Sequence, residues 1–249
     1  MKYGEYRELS SRLKKLSDVK SIAKNSGLDK ELLMVLYTQN VVRDATRRFY
    51  QVKRRAPKML YLWKSGKSFR QISEEFSFPP ILTALLIMQE NKISRKRFWK
   101  MALKPEDIRD NRLRQDIMNA CKADLVYSPE GIEIQRERGR WGEAKLNEWL
   151  DKMNIEYRTE AELRGKYKKT PDALFRKPLR LDGSDRMWIE SKATFGDPFE
   201  LKRHVKKQLQ PYRSMFGEGL VVYWFGYVED ARVTIPEGVA VMDGRFFEL

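Results

Sequence analysis

The stretch from residue 169 to residue 197 constrains the fold of this chain more than any other part of its sequence. Two runs with alternating apolar side chains, Ala173–Phe175 and Met187–Ile189, are separated by the turn-rich segment Leu181–Asp185. Alternation with a period of two is typical of β-strands, and a cluster of Asp, Gly and Ser indicates a turn. The stretch therefore predicts a β-hairpin with a longer loop.

Three charged side chains mark the ends of these two strands. Asp172 lies at the start of the first strand, and Glu190 and Lys192 lie near the end of the second. Because side chains alternate faces along a strand, Glu190 and Lys192 share one face while Ser191 points to the other. Pairing of the hairpin would then bring Asp172 beside Glu190, so that two carboxylates and an ammonium converge at one end of a twisted sheet.

Such an arrangement suits a divalent cation and a phosphate. Two adjacent carboxylates repel each other unless a cation lies between them, and oxygen ligands favour Mg²⁺ or Mn²⁺. The lysine could orient an attacking water or stabilise charge that develops on the phosphate. These residues fit metal-assisted hydrolysis of a phosphodiester, and the alternative is a solvated strand end with an ordinary salt bridge.

The pattern PD at 171–172 followed by ESK at 190–192 resembles the PD-(D/E)XK nuclease superfamily. The segments YKKTPD, WIESKATFGD and GLVVYWFGY are similar to the TPD-motif nuclease family, densely over residues 167–228 and more faintly over residues 138–157. This resemblance implies a restriction-endonuclease-like mixed sheet, Mg²⁺ or Mn²⁺ as the cofactor, and DNA rather than RNA as the substrate.

The resemblance also implies roles for individual residues. Asp172, Glu190 and the Ser191 carbonyl would hold the metal, and Lys192 would position the nucleophile and offset charge in the transition state. Glu143 matches the helix carboxylate that completes the metal shell in this superfamily. The alternative for Glu143 is a glutamate near a helix N-terminus that is stabilised by the helix macrodipole.

Two further residues are candidates for the catalytic site. Gln208 and Tyr212 are four positions apart and would share a face of a helix predicted over residues 199–215, which Pro211 would bend or end. A Gln-x-x-x-Tyr pair also occurs beside the active site in related exonuclease branches of the superfamily, where it could orient a phosphate or the water. Packing and surface exposure are the alternatives for both side chains.

The surplus of positive charge is concentrated in the N-terminal half. The net charge is +15, and residues 1–130 hold 28 Lys and Arg against 15 Asp and Glu, whereas residues 131–249 hold 22 against 20. A polyanion is the natural partner, with nucleic acid first, and a basic surface kept for solubility is the alternative. The single Cys121 and the single His204 argue against an internal disulfide and against a zinc or histidine mechanism.

The chain has no apolar run that could cross a membrane and no signal sequence, so we expect an intracellular protein. It would be cytoplasmic in a prokaryote and nuclear or cytoplasmic in a eukaryote.

Residues 1–128 predict a basic all-helical domain with helix-turn-helix-like segments. Asp18 and Asp29 read as helix N-caps and Gly27 as a helix stop, and the apolar helix at 81–90 reads as a core helix. Helices are predicted over residues 1–16, 18–27, 29–54, 58–64, 69–76, 81–90 and 105–125. The expected nucleic-acid contacts are Arg47, Arg48, Lys53, Arg54, Arg55, Arg95, Lys96, Arg97 and, in the C-terminal half, Lys206.

Two aromatic residues, Phe98 and Trp99, lie among the five cations of residues 91–100. Cations interleaved with aromatic rings suit phosphate contact together with base stacking. The alternative is a solvated helix face whose Phe98 and Trp99 point inward.

Residues 127–131 predict the boundary to a PD-(D/E)XK nuclease domain over residues 129–249. Phe175, Trp188 and Ile189 are its expected inward side chains. The elements predicted, in α-β-β-β-α-β order, are a helix at 136–150, a strand at 155–160, the hairpin, the helix at 199–215, a buried strand at 219–228, and short strands at 232–235 and 239–242.

Together these features predict a divalent-metal-dependent DNA nuclease that selects structure rather than sequence. One alternative is a catalytically inactive nucleic-acid-binding protein that keeps the fold as a scaffold. Another is a helix-turn-helix regulator with a ligand-sensing C-terminal domain. Superfamily enzymes that cut both strands are often dimers, so a homodimer is one expectation. The sequence does not indicate any other protein partner.

Overall fold

The computed structural model describes residues 1–247 and shows a mixed α/β fold with a helical N-terminal region and a five-stranded sheet. The chain divides into two compact units, residues 1–36 with residues 137–249, and residues 37–136. The predicted division into domains 1–128 and 129–249 stays a prediction. No helix in the described part of the chain is long and apolar enough to cross a membrane.

The helices before the sheet begin and end at residues with identifiable caps. Gly27 ends α2 in the left-handed conformation, with φ of +68°, and Asp29 accepts backbone N–H bonds at the start of α3. Asp18, predicted as an N-cap, instead lies in the first turn of α2 and accepts the N–H groups of Lys14 and Lys15. The helices are α1 (Tyr3–Arg12), α2 (Leu16–Ser26), α3 (Lys30–Lys53), α4 (Ala56–Lys64), α5 (Phe69–Phe76), α6 (Pro80–Glu90), α7 (Arg95–Leu103), α8 (Asn111–Ala123) and α9 (Pro129–Lys152).

The unit of residues 37–136 packs around α6. Residues 81–88 of this helix are all buried, which confirms the prediction of a core helix. Ser68 caps α5, and Arg48 of α3 holds the other end of α5 by donating to the carbonyls of Phe76 and Ser77 at 2.9 and 2.8 Å. The helix-turn-helix character of this region stays a prediction.

The bounds of two predicted helices are wrong. The single helix expected from 105 to 125 is a 3₁₀ turn, Pro105–Asp107, followed by α8, because Asp110 accepts the N–H of Leu113 and starts a new helix. The helix expected from 136 to 150 begins earlier, as α9 from Pro129, because Ser128 accepts the N–H of Gly131 at 3.0 Å, and the domain boundary predicted at 127–131 stays a prediction.

The sheet is mixed, with strand order β1-β2-β3-β4-β5. β1 to β3 are antiparallel neighbours, and β4 and β5 continue from β3 in parallel. The predicted strand at 232–235 is absent from the described sheet, and the predicted strands at 155–160 and 219–228 are longer than the observed β1 and β4. The strands are β1 (Tyr157–Thr159), β2 (Ala173–Leu181), β3 (Ser184–Lys192), β4 (Gly219–Tyr223) and β5 (Val239–Asp243).

The hairpin of β2 and β3 has a tight turn. Asp182 and Gly183 form a two-residue connection with φ of +47° and +79°, the conformation that a type I′ turn requires. Arg186 donates to both carboxylate oxygens of Asp182 at 3.1 and 2.8 Å and so braces the turn. The expectation of a longer loop is therefore wrong, and both strands extend further toward the turn than predicted.

Both faces of the sheet are covered. Trp188 packs on one face with Leu201 and Tyr212, whereas Phe175 and Ile189 pack on the other face. All three side chains expected to point inward are buried, but they serve two separate apolar clusters rather than one. The charged ends of β3 therefore emerge from an element that is fixed from both sides.

A helix with an irregular turn connects β3 to β4. It consists of α11 (Pro198–His204), a π-helical turn (Val205–Leu209) and α12 (Gln210–Phe216). The N–H of Gln210 donates to the carbonyl of Val205, five residues earlier, and Pro211 has no N–H to donate to Lys207. Pro211 thus neither ends nor breaks the predicted helix, and the extra residue of the π-turn accommodates it. Between β1 and β2 the chain also forms one short helix, α10 (Glu160–Leu163).

Candidate active site

The ends of β2 and β3 bring Asp172, Glu190, Ser191 and Lys192 together. Ala173 pairs with Ile189, so the antiparallel register places Asp172 opposite Glu190. The Oδ2 atom of Asp172 accepts the backbone N–H of Ser191 at 2.7 Å. Two carboxylates and one ammonium therefore meet where the antiparallel and parallel halves of the sheet join.

Glu190 is the most enclosed of these charged groups, at 2% exposure. Its Oε1 atom accepts from the ammonium of Lys192 and from the side-chain amide of Gln208, the latter at 2.7 Å. Its Oε2 atom is buried and has no hydrogen-bond donor among the residues that the structure describes. A buried carboxylate oxygen without a partner costs free energy, so one position in this site is left for a positive group.

The electrostatics of the pair follow from burial and like charge. Burial, followed by the charge of Glu190, raises the pKa of Asp172 to about 8, against the opposing effects of Lys192 and of the Ser191 N–H. In the absence of a cation Asp172 is thus protonated at neutral pH. Partial burial, then the carboxylates of Glu160 and Glu190, also raise the pKa of Glu143, which extends from α9 toward the same site.

The π-turn directs a second pair of side chains into the site. The side-chain amide nitrogen of Gln208 lies 3.4 Å from the hydroxyl of Tyr212 and donates to Glu190. Both side chains therefore lie on the same side of the helix, as their four-residue spacing predicts. The Tyr212 hydroxyl donates to the carbonyl of Thr170 at 2.8 Å, and burial raises the pKa of Tyr212 far above its usual value. Tyr212 therefore stays a phenol that anchors the chain just before Asp172.

A cavity of about 430 Å³ joins these groups. Four of its residues were not predicted as site residues. The adjacent Lys168 and Lys169 could have been inferred from their place directly before the TPD triplet, and Lys169 donates to the carbonyl of Lys207 left free by Pro211. Glu160 had no sequence signal, because it reaches the cavity from the first residue of α10, a position predicted as the end of a strand. The cavity is lined by Glu143, Glu160, Lys168, Lys169, Thr170, Asp172, Glu190, Ser191, Lys192, Gln208 and Tyr212.

The geometry fits a hard cation held by two carboxylates. No group of three or more Asp, Glu, His or Cys side chains within residues 1–247 is placed to hold a metal ion. Asp172 and Glu190 would therefore need backbone and water oxygens as further ligands, as Mg²⁺ accepts. The Ser191 carbonyl suits this role, because in an extended strand it points to the same side as the N–H that faces Asp172. The place of Glu143 in the metal shell stays a prediction.

The residues predicted to bind nucleic acid lie in several environments. Arg55 stacks over the ring of Phe76 at 5.3 Å, and Arg47 and Arg48 both pair with Asp44. Arg48 donates hydrogen bonds to the two carbonyls at the end of α5, so its guanidinium is less available to a phosphate than that of Arg47. The exposed members of the set are Arg47, Lys53, Arg54, Arg55, Arg95, Lys96, Arg97 and Lys206.

The two aromatic residues of α7 point inward. Phe98 is fully buried in the core of residues 37–136, and Trp99 packs against the same core. Base stacking on the ring of Phe98 is therefore excluded, and the alternative of a solvated cationic face with inward aromatic rings describes α7.

Comparison with known proteins gives a consistent assignment. Residues 109–245 match the model of a family described as a protein of unknown function with the TPD sequence motif. The chain is also similar to proteins named CDAN1-interacting nuclease 1: it is 30% identical to that of Xenopus laevis over 186 residues, 70% of this chain and 60% of the relative. The corresponding figures are 31% over 182 residues for Danio rerio (70% and 61%) and 30% over 176 residues for Homo sapiens (68% and 63%). The chain thus spans about three fifths of the length of these relatives, and no solved structure matches it.

Proposed function

This chain belongs to the TPD sequence-motif family, and from that membership we propose that it is a divalent-metal-dependent nuclease that hydrolyses phosphodiester bonds in DNA. Relatives that match 68–70% of the chain are named nucleases, so nuclease activity is supported at the level of the family. The metal, the DNA substrate and a preference for structure over sequence are the parts that we add.

One observation carries the proposal. The buried Oε2 atom of Glu190 has no donor among the described residues, although Asp172, Lys192 and Gln208 surround the same carboxylate. A salt bridge that served only stability would be expected to use both oxygens, because leaving one unpaired costs free energy. A site kept incomplete in this way suits a ligand that arrives from solution, and Mg²⁺ or Mn²⁺ has the required charge and preference for oxygen.

Each side chain then has a separate task. Asp172 and Glu190 bind the cation with the Ser191 carbonyl, and the protonated Asp172 must release its proton when they do. Lys192 has three donors, of which one reaches Glu190, so the others remain to orient a water and to balance negative charge on the phosphate. Gln208 fixes the orientation of Glu190. A bound Mg²⁺ ion would supply polarisation of the phosphate and a lowered pKa of the attacking water.

The order of elements supports a PD-(D/E)XK-like fold for this domain. A helix (α9), three antiparallel strands, a second helix (α11 to α12) and a parallel strand follow one another, and the charged groups lie at the strand ends where the sheet changes direction. Exposed cations on α3 and α7 offer contacts to the phosphate backbone that carry no sequence information, which favours selection by structure.

The test is cleavage of labelled DNA and RNA of several structures with Mg²⁺, with Mn²⁺ or with EDTA. Glu190→Gln and Lys192→Ala are compared with Asp185→Asn, an exposed carboxylate on the same strand. We expect metal-dependent cleavage of DNA by the wild type and by Asp185→Asn, and a loss of at least about 100-fold in both site variants. Cleavage that survives EDTA or Glu190→Gln would refute the metal mechanism. Tight DNA binding without any cleavage would favour the inactive scaffold instead.

A further inference from the structure

A second cavity, of about 380 Å³, lies on the face of the sheet opposite Glu190. We name it the aromatic cavity. Trp149 and Phe247 meet edge to face at 5.0 Å between ring centres, and Trp141 and Trp224 do so at 5.8 Å. Trp141 is 43% exposed, so part of its ring is open to a ligand. The aromatic cavity is lined by Trp141, Lys145, Glu148, Trp149, Lys152, Trp224, Gly244 and Phe247.

The rim of the aromatic cavity is suited to an anion. Lys145 and Lys152 lie on the same face of α9 and both pair with Glu148, at 3.5 and 3.0 Å. All three side chains are at least half exposed, so their mutual pairing is weak and open to exchange with a ligand. Two ammonium groups against one carboxylate leave a positive charge beside a set of aromatic rings, which is the combination that binds single-stranded nucleic acid.

One residue that lines the aromatic cavity, Trp149, carries a buried donor without an acceptor among the described residues. Trp149 is 8% exposed, and its indole Nε1–H has no acceptor among residues 1–247. Buried indole N–H groups are normally hydrogen-bonded, so this donor indicates that an acceptor is missing. Because this nitrogen is itself buried, a ligand in the cavity would reach it only if the Trp149 ring turned toward the cavity.

The aromatic cavity is joined to the catalytic residues through Trp224. The indole N–H of Trp224 donates to the hydroxyl of Ser191 at 2.8 Å, and its backbone N–H donates to the carbonyl of Lys192 at 3.0 Å. Gly142 allows α9 to approach closely here, since a Cβ atom at this position would lie 2.8 Å from the Trp224 ring. Trp141 and Glu143 flank Gly142, so one helical turn carries both a wall of the aromatic cavity and a predicted catalytic carboxylate.

We propose that the aromatic cavity binds one unpaired nucleotide of the DNA close to the scissile phosphate, so that the nuclease selects strands with an unstacked base. The base stacks on Trp141 and Trp224, and Lys145 and Lys152 hold the adjoining phosphate. A base inside a duplex cannot enter, because stacking and pairing hold it in the helix. The inference relies on the proposed function for the identity of the ligand.

The test measures binding rather than cleavage, with EDTA present. The probes are a short single strand that carries one 2-aminopurine and the blunt duplex of the same sequence. Stacking on tryptophan quenches 2-aminopurine, so wild type should quench the single strand, and Trp141→Ala should abolish the quenching and weaken single-strand binding about 10-fold. Duplex binding should change less than about twofold, since backbone contacts dominate it. Trp141→Phe should keep most of the single-strand binding. The double variant Lys145→Ala and Lys152→Ala should weaken single-strand binding, while the bound strand is still quenched.

Tyr61→Ala is the matched control, because Tyr61 is an aromatic residue with 69% exposure outside the aromatic cavity. Equal loss of single-strand and duplex binding in Trp141→Ala, or no loss in either, overturns the inference. Metal-dependent cleavage by the wild type is scored separately. If the wild type does not cut, yet quenching depends on Trp141, the catalytic proposal fails and the nucleotide site stands.

Discussion

Asp172→Asn should stabilise the metal-free protein, and increasingly so as the pH rises. The folded-state pKa of Asp172 is about 8, against 3.8 for an unperturbed aspartate. The folded protein therefore keeps a proton that the unfolded chain releases, and stability falls as the pH rises from about 4 to about 8. Asparagine resembles the protonated side chain, still accepts the N–H of Ser191, and has no charge to bury.

The size of the effect follows from the shift. Each pKa unit corresponds to about 1.36 kcal/mol, so a shift of about four units amounts to about 5 kcal/mol at pH values above 8. Between pH 5 and pH 8 the wild type should lose about 4 kcal/mol relative to the variant. For a chain of this size that difference corresponds to about 8–16 °C in Tm.

The assay is thermal and urea unfolding of both proteins in EDTA at pH 5, 6, 7 and 8. Asp185→Asn is the control, because Asp185 is 63% exposed and pairs with Arg180 at 3.5 Å. Adding Mg²⁺ at pH 8 should recover stability in the wild type and not in Asp172→Asn, because a cation replaces the buried proton. A difference between variant and wild type that stays constant from pH 5 to pH 8, or a variant less stable at pH 8, would refute the argument.

Three further predictions concern stability, and urea unfolding checks each of them. Gly219→Ala should destabilise by more than about 3 kcal/mol, because the added Cβ would lie 2.0 Å from the buried ring of Trp188. A variant with wild-type stability would show that β4 can shift away from this ring. Arg48→Ala should lower the free energy of unfolding by about 1–3 kcal/mol, because two carbonyls at the end of α5 lose their donor. Arg47→Ala, at the exposed neighbouring position, should lower it by less than about 0.5 kcal/mol. Similar losses in both would contradict the capping role. Tyr212→Phe should cost about 1 kcal/mol by leaving a loop carbonyl without its donor, and an unchanged midpoint would count against the anchor.

Local patterns in the sequence predicted the parts of the fold that local forces determine. The apolar run of α6 and the alternation in β2 and β3 report burial directly, and the interval between Asp172 and Glu190 was enough to expect their approach. The N-cap of α3 was also predictable from the sequence, because Asp29 accepts N–H groups that lie within three residues of itself.

The remaining features depend on contacts that are distant in sequence. The inward orientation of Phe98 and Trp99 is set by the core they pack on, which charge patterning does not reveal. Glu160 reaches the cavity beside Glu190 only because the chain turns after β1. The aromatic cavity forms where α9 meets Trp224, just after β4, and the segment after β5. Such sites have no signature of their own in a single sequence.

The π-turn at residues 205–209 also bears on how this family can vary. Deleting one residue there would remove the wide turn that accommodates Pro211, and each residue of an α-helix turns the chain by about 100°. Tyr212 would then rotate away from Thr170 relative to Gln208. A deletion of a single residue in this short segment would thus move Tyr212 out of the candidate site while leaving Asp172, Glu190 and Lys192 in place on their strands. Alignments of relatives should therefore be inspected for a one-residue gap near Pro211 before activity is inferred from the motif alone.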